Sequence, residues 1–229
     1  MAAMCGADVD VIALQELNPA VATAVRTKLM DRFPYQVLDP QHGVTGLGVM
    51  SRYPLWAISQ QFPGAWLGSP QVVRLDYHGT PVTLVNVHCA SVEFDGWKSR
   101  AKVEWSVQER ERQATMLANF AATQPGPLIA LGDFNTTEQS TAYKLITKIL
   151  HDAWRAAGFG LGHTFPGGAS PSNARPLIAG IAVPMWLIRI DYIFYSSHWQ
   201  PLAAWLGRGS GSSDHRPVVA QLALPEKAR

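Results

Sequence analysis

Cysteine is almost missing: only Cys5 and Cys89 occur among the 229 residues. That excludes a disulfide framework and a cysteine-built zinc site, and it leaves the redox compartment open. Charge of one sign is scarce too, since 19 basic and 17 acidic residues leave a net charge of +2. This mild excess is compatible with a phosphate-bearing substrate but lacks the dense cationic signature of a dedicated nucleic-acid binder. There is no membrane-length apolar run. Residues 177–188 form the longest one and Gly180 and Pro184 interrupt it, whereas a membrane helix needs about 20 apolar residues. No charged-then-apolar leader opens the sequence, so a soluble chain is expected, with no stable membrane insertion. Repeats, low-complexity tracts and linkers are missing as well. With 47% hydrophobic and 16% charged residues the composition is that of a packed globular protein. One domain over residues 1–229 is the simplest organisation.

What is present centres on Leu131-Gly132-Asp133-Phe134-Asn135, which follows the apolar run Pro127-Leu128-Ile129-Ala130. The run reads as a strand buried on both faces. In an extended segment residues i and i+2 point the same way, so Asp133 and Asn135 can address one site. The glycine before them allows a sharp turn. An acceptor-only carboxylate beside a mixed donor and acceptor suits a metal-bound phosphate or the water that attacks it.

Along the chain, residues 9–16 read as a buried strand that ends in Glu16. Asn18-Pro19 then gives a cap and first-turn proline for a helix reaching about Phe33, with Val21, Val25 and Leu29 at four-residue steps. Residues 46–52 form another apolar segment. Residues 72–77 and 82–88 flank His78-Gly79-Thr80-Pro81 as a hairpin whose second arm ends Asn86-Val87-His88. Residues 98–122 turn helical, with Val103, Val107, Ala114, Leu117 and Ala121 on the apolar face, and residues 140–156 read as a second helix. A loop rich in glycine and proline spans 158–184. Residues 189–195 alternate as a strand, a flexible segment covers 207–213, and residues 218–224 close the chain as a strand.

An acid, amide or imidazole recurs at strand ends: Glu16, His88, Asp133, Asn135, Asp191 and Asp214-His215. Delivering polar tips to one edge of a pleated scaffold is how a rigid fold builds a metal-assisted hydrolytic site. In chain order, Leu14-Gln15-Glu16, Gly48-Val49-Met50-Ser51-Arg52-Tyr53-Pro54, Asn86-Val87-His88, Gly132-Asp133-Phe134-Asn135, Arg189-Ile190-Asp191-Tyr192 and Ser213-Asp214-His215-Arg216-Pro217 resemble the motifs of the endonuclease/exonuclease/phosphatase superfamily. The resemblance covers nearly the whole chain. It implies a four-layer α/β sandwich of the DNase I-like type, with two packed, mostly antiparallel sheets between helices. The sequence looks most like uncharacterised bacterial members, some of which carry membrane helices before the catalytic domain; this chain would correspond to such a domain detached. One departure stands out. The family begins with a strand whose asparagine helps bind metal and phosphate, well upstream of the glutamate, and that first strand has no counterpart here.

The resemblance also implies roles. Glu16 would be a Mg²⁺ ligand, with Mn²⁺ as a substitute ion, and Asp214 would help hold the metal or its water shell. His215 would be the general base, oriented by Asp191. Asp133 and Asn135 would position the attacking water and a phosphoryl oxygen, and His88 would contact the phosphate. Each has a plainer alternative: Glu16 a helix-start glutamate, Asp214 a turn residue, His215 with Asp191 a structural hydrogen bond, and His88 a packing residue. Arg52 and Tyr53 read as structural and Cys89 as a small buried residue. Trp97 and Trp105 interleave with basic residues, yet acids nearby favour a solvated helix. Met185-Trp186 is expected to form an apolar lip. The expected activity is in-line hydrolysis of a phosphate ester by a monomer, with DNA or RNA as the leading partner. A lipid or inositol phosphate, and a non-catalytic binding domain, are the alternatives.

Overall fold

In chain order the elements are β1 (Val11–Gln15), α1 (Pro19–Lys28), β2 (Tyr35–Asp39), β3 (Leu47–Ser51), β4 (Leu55–Ala57), β5 (Gly68–Tyr77), β6 (Thr80–His88) and α2 (Arg100–Ala122). They continue with β7 (Leu128–Asp133), α3 (Thr141–Thr147), β8 (His151–Asp152), α4 (Ala153–Ala157), β9 (Leu177–Ile178), β10 (Ile181–Ala182), β11 (Asp191–Tyr195), β12 (Gln200–Leu206) and β13 (Val218–Ala223). The computed structural model describes residues 8–91, 100–167, 175, 177–178, 180–208 and 213–225.

Six strands pair in the order β4-β5-β6-β7-β11-β8. All neighbours are antiparallel except β6 and β7. Parallel neighbours need a crossover, and the helix α2 supplies it. A second layer consists of two pieces, β1-β3-β2 and β12-β13. Apolar side chains hold the layers in series. Val87, Leu128, Ala130 and Phe194 pack under α2 and α3 with Leu117 and Ile146. Val49 packs against Val73, Val82 and Leu84 between the two layers of strands. Val25, Leu29 and Phe33 pack with Met50 under α1. Helix, sheet, sheet, helix is the DNase I-like α/β sandwich.

The second layer is open. Among the described residues β1 pairs only with β3 and β13 only with β12, so each has one edge without a strand against it. Yet β1 rests on β6 and β7 while β13 rests on β11, and β7 and β11 are neighbours. On the face they turn to the second layer, Ile129, Leu131 and Ile193 stay partly exposed although their strands are central.

Several expectations need correction. The helix starting at Pro19 ends at Lys28, and Phe33 turns into the core, fully buried, instead of extending it. Residues 140–156 are not one helix. Arg189 grips the Asp152 carboxylate at 2.7 and 3.1 Å, which draws 151–152 onto the sheet edge as β8, and Asp152 then caps α4 by accepting from Trp154 N at 2.8 Å. On α2, Val103 and Val107 are exposed. The buried face there is polar, with Arg110 donating to Ala90 O at 3.0 Å and Gln113 to Ala65 O at 2.5 Å. The strands β2, β4 and β12 appear where none was expected, and β9 and β10 form a short hairpin inside the expected loop. Trp97 and most of 207–213 lie outside the described residues.

Candidate active site

Register brings three of the candidate residues into one row. His88 ends β6 opposite Asp133 at the end of β7, and Asp133 is the cross-strand partner of Asp191 at the start of β11. Side chains in one row of a sheet share a face, so an imidazole and two carboxylates, distant in sequence, stand side by side. The row needs Gly132. Its φ is +137°, and a Cβ there would lie 2.1 Å from the Val87 carbonyl oxygen. Any larger residue would push β7 away from β6 at the point where Asp133 and His88 must meet.

Asn135 reaches the site by a turn, which corrects the extended geometry expected for it. The strand stops at Asp133, and Asn135 adopts φ +48°. Its N–H donates to Asp133 Oδ1 at 2.8 Å, and its Nδ2 donates to Asp133 Oδ2 at 3.2 Å and to Cys89 O at 3.0 Å. Both amide hydrogens are thus engaged, and Oδ1 is the atom Asn135 has left to offer. Thr164 steadies the far end of the row, its Oγ1 accepting from Ile190 N at 3.2 Å and Asp191 N at 3.4 Å.

His215 arrives from the segment before β13. Its Nδ1 is 2.8 Å from Asp191 Oδ2 and its Nε2 is 4.0 Å from Asp133 Oδ2. The Phe165 ring packs on the imidazole at 4.9 Å, and Arg216 N donates to Thr164 O at 3.0 Å. Burial alone would disfavour the imidazolium, but the Asp191, Asp133 and Asp214 carboxylates outweigh it and push His215 up to about 10. Nδ1 therefore donates to Asp191. Burial, reinforced by Asp191, raises Asp133 to about 8. At neutral pH His215 is therefore protonated and Asp133 largely so.

His88 differs from His215. It is 2% exposed, and burial holds its ring below the ordinary histidine value against the pull of the Val44 carbonyl. Nδ1 lies 3.1 Å from that carbonyl and must donate, so Nε2 carries a lone pair toward Asp133 Oδ2 at 3.6 Å.

Glu16 leaves β1 in a left-handed turn, with φ +56°. The turn is pinned beyond it by Leu17 N donating to Gly46 O at 2.9 Å and Gln41 N to Leu17 O at 3.0 Å. The side chain is exposed. Even so, the mass around the carboxyl and then the Asp214 charge raise its pKa, and His215 opposes them. Glu16, Asp214 and His215 are therefore electrostatic neighbours. Two carboxylates within each other's field, each offering only oxygen, are the donor chemistry that suits a hard divalent cation such as Mg²⁺ or Mn²⁺. Ligand atoms of Asp133, Asp191 and His215 also lie within 4.8 Å of one another. There, however, Nδ1 is engaged by Asp191 and the ring is protonated, so this group is better suited to moving protons.

All seven residues expected from the sequence thus meet in one region. Some neighbours carried no assigned role: Asn86 and Gln15, linked at 2.6 Å, and the Arg189–Asp152 pair. A polar residue inside an apolar strand was the available signal for Asn86. Arg52 pairs with Asp8 and Asp10, and Tyr53 packs edge-on against Tyr77 at 5.0 Å, both structural contacts. The Cys89 thiol is buried and its pKa is pushed up by burial, as befits an inert core residue. Trp186 lies beneath the Arg216 guanidinium at 4.3 Å, beside the exposed Met185.

A mixed α/β sandwich with acids and imidazoles at converging strand ends is the architecture of the DNase I-like fold. The chain belongs to the endonuclease/exonuclease/phosphatase family, whose model matches residues 3–215. Members of that family are generally hydrolases and typically use divalent metals. Solved structures share the fold. An endonuclease/exonuclease/phosphatase from Beutenbergia cavernae is 21% identical with a TM-score of 0.68, over 97% of this chain and 64% of its own. Sphingomyelinase C from Streptomyces griseocarneus is 20% identical with a TM-score of 0.59, over 92% and 85%. TDP2 from D. rerio, complexed with a single-strand DNA product, is 18% identical with a TM-score of 0.66, over 93% and 86%. A sequence search of curated proteins found no match. Among the described residues no helix is long and apolar enough to cross a membrane.

Proposed function

We propose that this protein is a divalent-metal-dependent phosphodiesterase that hydrolyses its substrate by in-line attack of water, with a nucleic-acid strand as substrate. The observation that carries the reading is the 2.8 Å Asp191–His215 pair standing 4.0 Å from Asp133, beside Glu16 and Asp214. Asp191 accepts from Nδ1, so Nε2 is the atom that exchanges a proton with water. The space between Nε2 and the Asp133 carboxyl is where that water would be held, with Asn135 Oδ1 as a further acceptor. His88 completes the row on the phosphate side. Glu16 and Asp214 would hold the cation, whose charge would neutralise phosphoryl oxygens and offset the carboxylates that keep His215 protonated. The same cation would compete with the imidazolium for those carboxylates and so favour the neutral ring that general-base catalysis needs.

A structural relative holding a DNA product supports a nucleic-acid substrate. A second reading, a lipid head-group phosphoester, draws on the exposed Leu177, Ile181, Met185 and Leu187 around Trp186 and on the sphingomyelinase likeness. The test is incubation with Mg²⁺ and, separately, bis-p-nitrophenyl phosphate, single- and double-stranded DNA, and sphingomyelin vesicles. Cleavage of the chromogenic diester and of DNA is expected. Cleavage of sphingomyelin alone selects the second reading, and no turnover of any substrate would make the protein a binding domain.

A further inference from the structure

Behind the row of His88, Asp133 and Asp191 the sheet has a second row, in which Gln71 pairs with Asn86, Asn86 with Leu131, and Leu131 with Ile193. Asn86 is fully buried there. A buried carboxamide is retained at little cost only when its donors and acceptor are satisfied, and here its partners lie across the gap between the layers. Nδ2 donates to Leu14 O and to Gly48 O, each at 3.1 Å, and Oδ1 accepts from Gln15 Nε2 at 2.6 Å. Leu14 and Gly48 are themselves cross-strand partners on β1 and β3. One amide of the six-stranded sheet therefore holds the last two residues of β1 and the strand beside it. The next residue is Glu16.

We infer that Asn86, acting through Leu14 and Gln15, is a positioning residue that fixes where the Glu16 carboxylate stands relative to the His88–Asp133–Asp191 row. The inference rests on the metal-dependent reading of the site. Three features make the position demanding. The edge of β1 away from β3 is unpaired among the described residues, so half of the usual ladder that would hold its exit is missing. Glu16 occupies a left-handed conformation, which a side chain larger than glycine keeps only when both flanks are held. The flank after it is held by Leu17 and Gln41, and the flank before it by Asn86. The Gln15 amide also lies over Gly132, its Nε2 being 3.1 Å from where a Cβ would stand. The clamp thus sets the height of β1 above the same glycine that lets Asp133 meet His88. Groups one step behind a metal ligand commonly change metal affinity by about 10- to 100-fold when removed.

The test is calorimetric Mn²⁺ binding to the full chain without substrate, beside hydrolysis of bis-p-nitrophenyl phosphate at rising Mn²⁺. The proteins are wild type, Asn86→Leu, Gln15→Leu, the double variant and Glu16→Gln. We expect Asn86→Leu and Gln15→Leu each to weaken Mn²⁺ binding about 10-fold. The Mn²⁺ needed for half-maximal rate should rise in parallel, while the rate at saturating Mn²⁺ falls less. Because the Gln15 side chain is tied to the six-stranded sheet through Asn86, the double variant should lose little more than Asn86→Leu alone. Unchanged Mn²⁺ affinity in Asn86→Leu and Gln15→Leu, with Glu16→Gln impaired, overturns the inference and leaves the metal reading standing, as do fully additive losses. Wild-type protein that binds no Mn²⁺, or Glu16→Gln that binds it undiminished, overturns the metal reading and the inference with it. Should Asn86→Leu fail to fold, Gln15→Leu, whose side chain is only partly buried, decides alone.

Discussion

The two layers of strands serve the site differently. The six-stranded sheet presents His88, Asp133 and Asp191 as a row from strands paired on both edges, with β6, β7 and β11 all internal. The second layer contributes Glu16 just after β1 and Asp214 shortly before β13, two strands that each have an unpaired edge among the described residues. Groups that must hold a proton-sharing geometry at 2.8 Å sit on the rigid layer or lean on it. The carboxylates suited to a cation come from chain exits that a few hydrogen bonds hold. Ladder pairing fixes position through many backbone contacts at once, whereas a strand exit depends on single side chains such as Asn86. A site built across such layers concentrates its sensitivity on the junction.

The largest effect should come from the group that leans on the rigid layer. In the proposed mechanism His215→Ala removes the proton acceptor and should lower turnover of bis-p-nitrophenyl phosphate by about 10²- to 10⁴-fold, with the circular dichroism spectrum unchanged. A loss below tenfold would mean that the His215–Asp191 pair is not the reactive part. The next contrast lies within one strand. Phe194 is fully buried against Phe134, at 5.0 Å between ring centroids, while Ile193 points to the opening and is partly exposed. Phe194→Ala should cost about 3–5 kcal/mol and Ile193→Ala clearly less, measured by urea denaturation. Equal costs would show the open face to be as well packed as the closed one.

A smaller effect concerns pH. His215 is raised to about 10 and Asp133 to about 8 by folding, so each binds its proton more tightly folded than unfolded. The His215 contribution is complete below its unfolded value near 6.5 and is lost as pH rises through about 10. That of Asp133 is lost as pH rises through about 8. Without added metal, the melting temperature should therefore fall between pH 6.5 and 10. Asp191→Asn, which removes the carboxylate that pairs with His215 and raises Asp133, should flatten the decline. A melting temperature that rises over this range would contradict the charge arrangement.

Much of this was legible in the sequence because period-two and period-four patterns are written by burial. The strand β11 announced itself by alternation, β5, β6 and β7 by apolar runs between turn residues, the helix α2 by its three- and four-residue steps, and the polar tips by their place after apolar runs. Short edge strands were not legible. In β4 the residues Trp56 and Ala57 are exposed, and β12 buries only Ala204, so neither carries a clean alternation. The break between α3 and α4 depends on Arg189 reaching Asp152 across 37 residues, a contact no local pattern encodes. Asn135 illustrates the limit at the site. Its identity suggested a role, but its placement follows from a turn closed by the Asp133 side chain and Cys89 O. The alignment of His88, Asp133 and Asp191 needed the register itself.

The backbone of Glu16 has one more consequence. A φ of +56° suits glycine, and a glutamate held there bears about 1 kcal/mol of conformational strain, besides feeling the Asp214 charge. Glu16→Gly should relieve both, giving a silent protein that melts higher than its parent in a thermal scan. Under the proposed function such a variant would be a natural reagent for capturing uncleaved substrate, more robust on the bench than the protein it was made from.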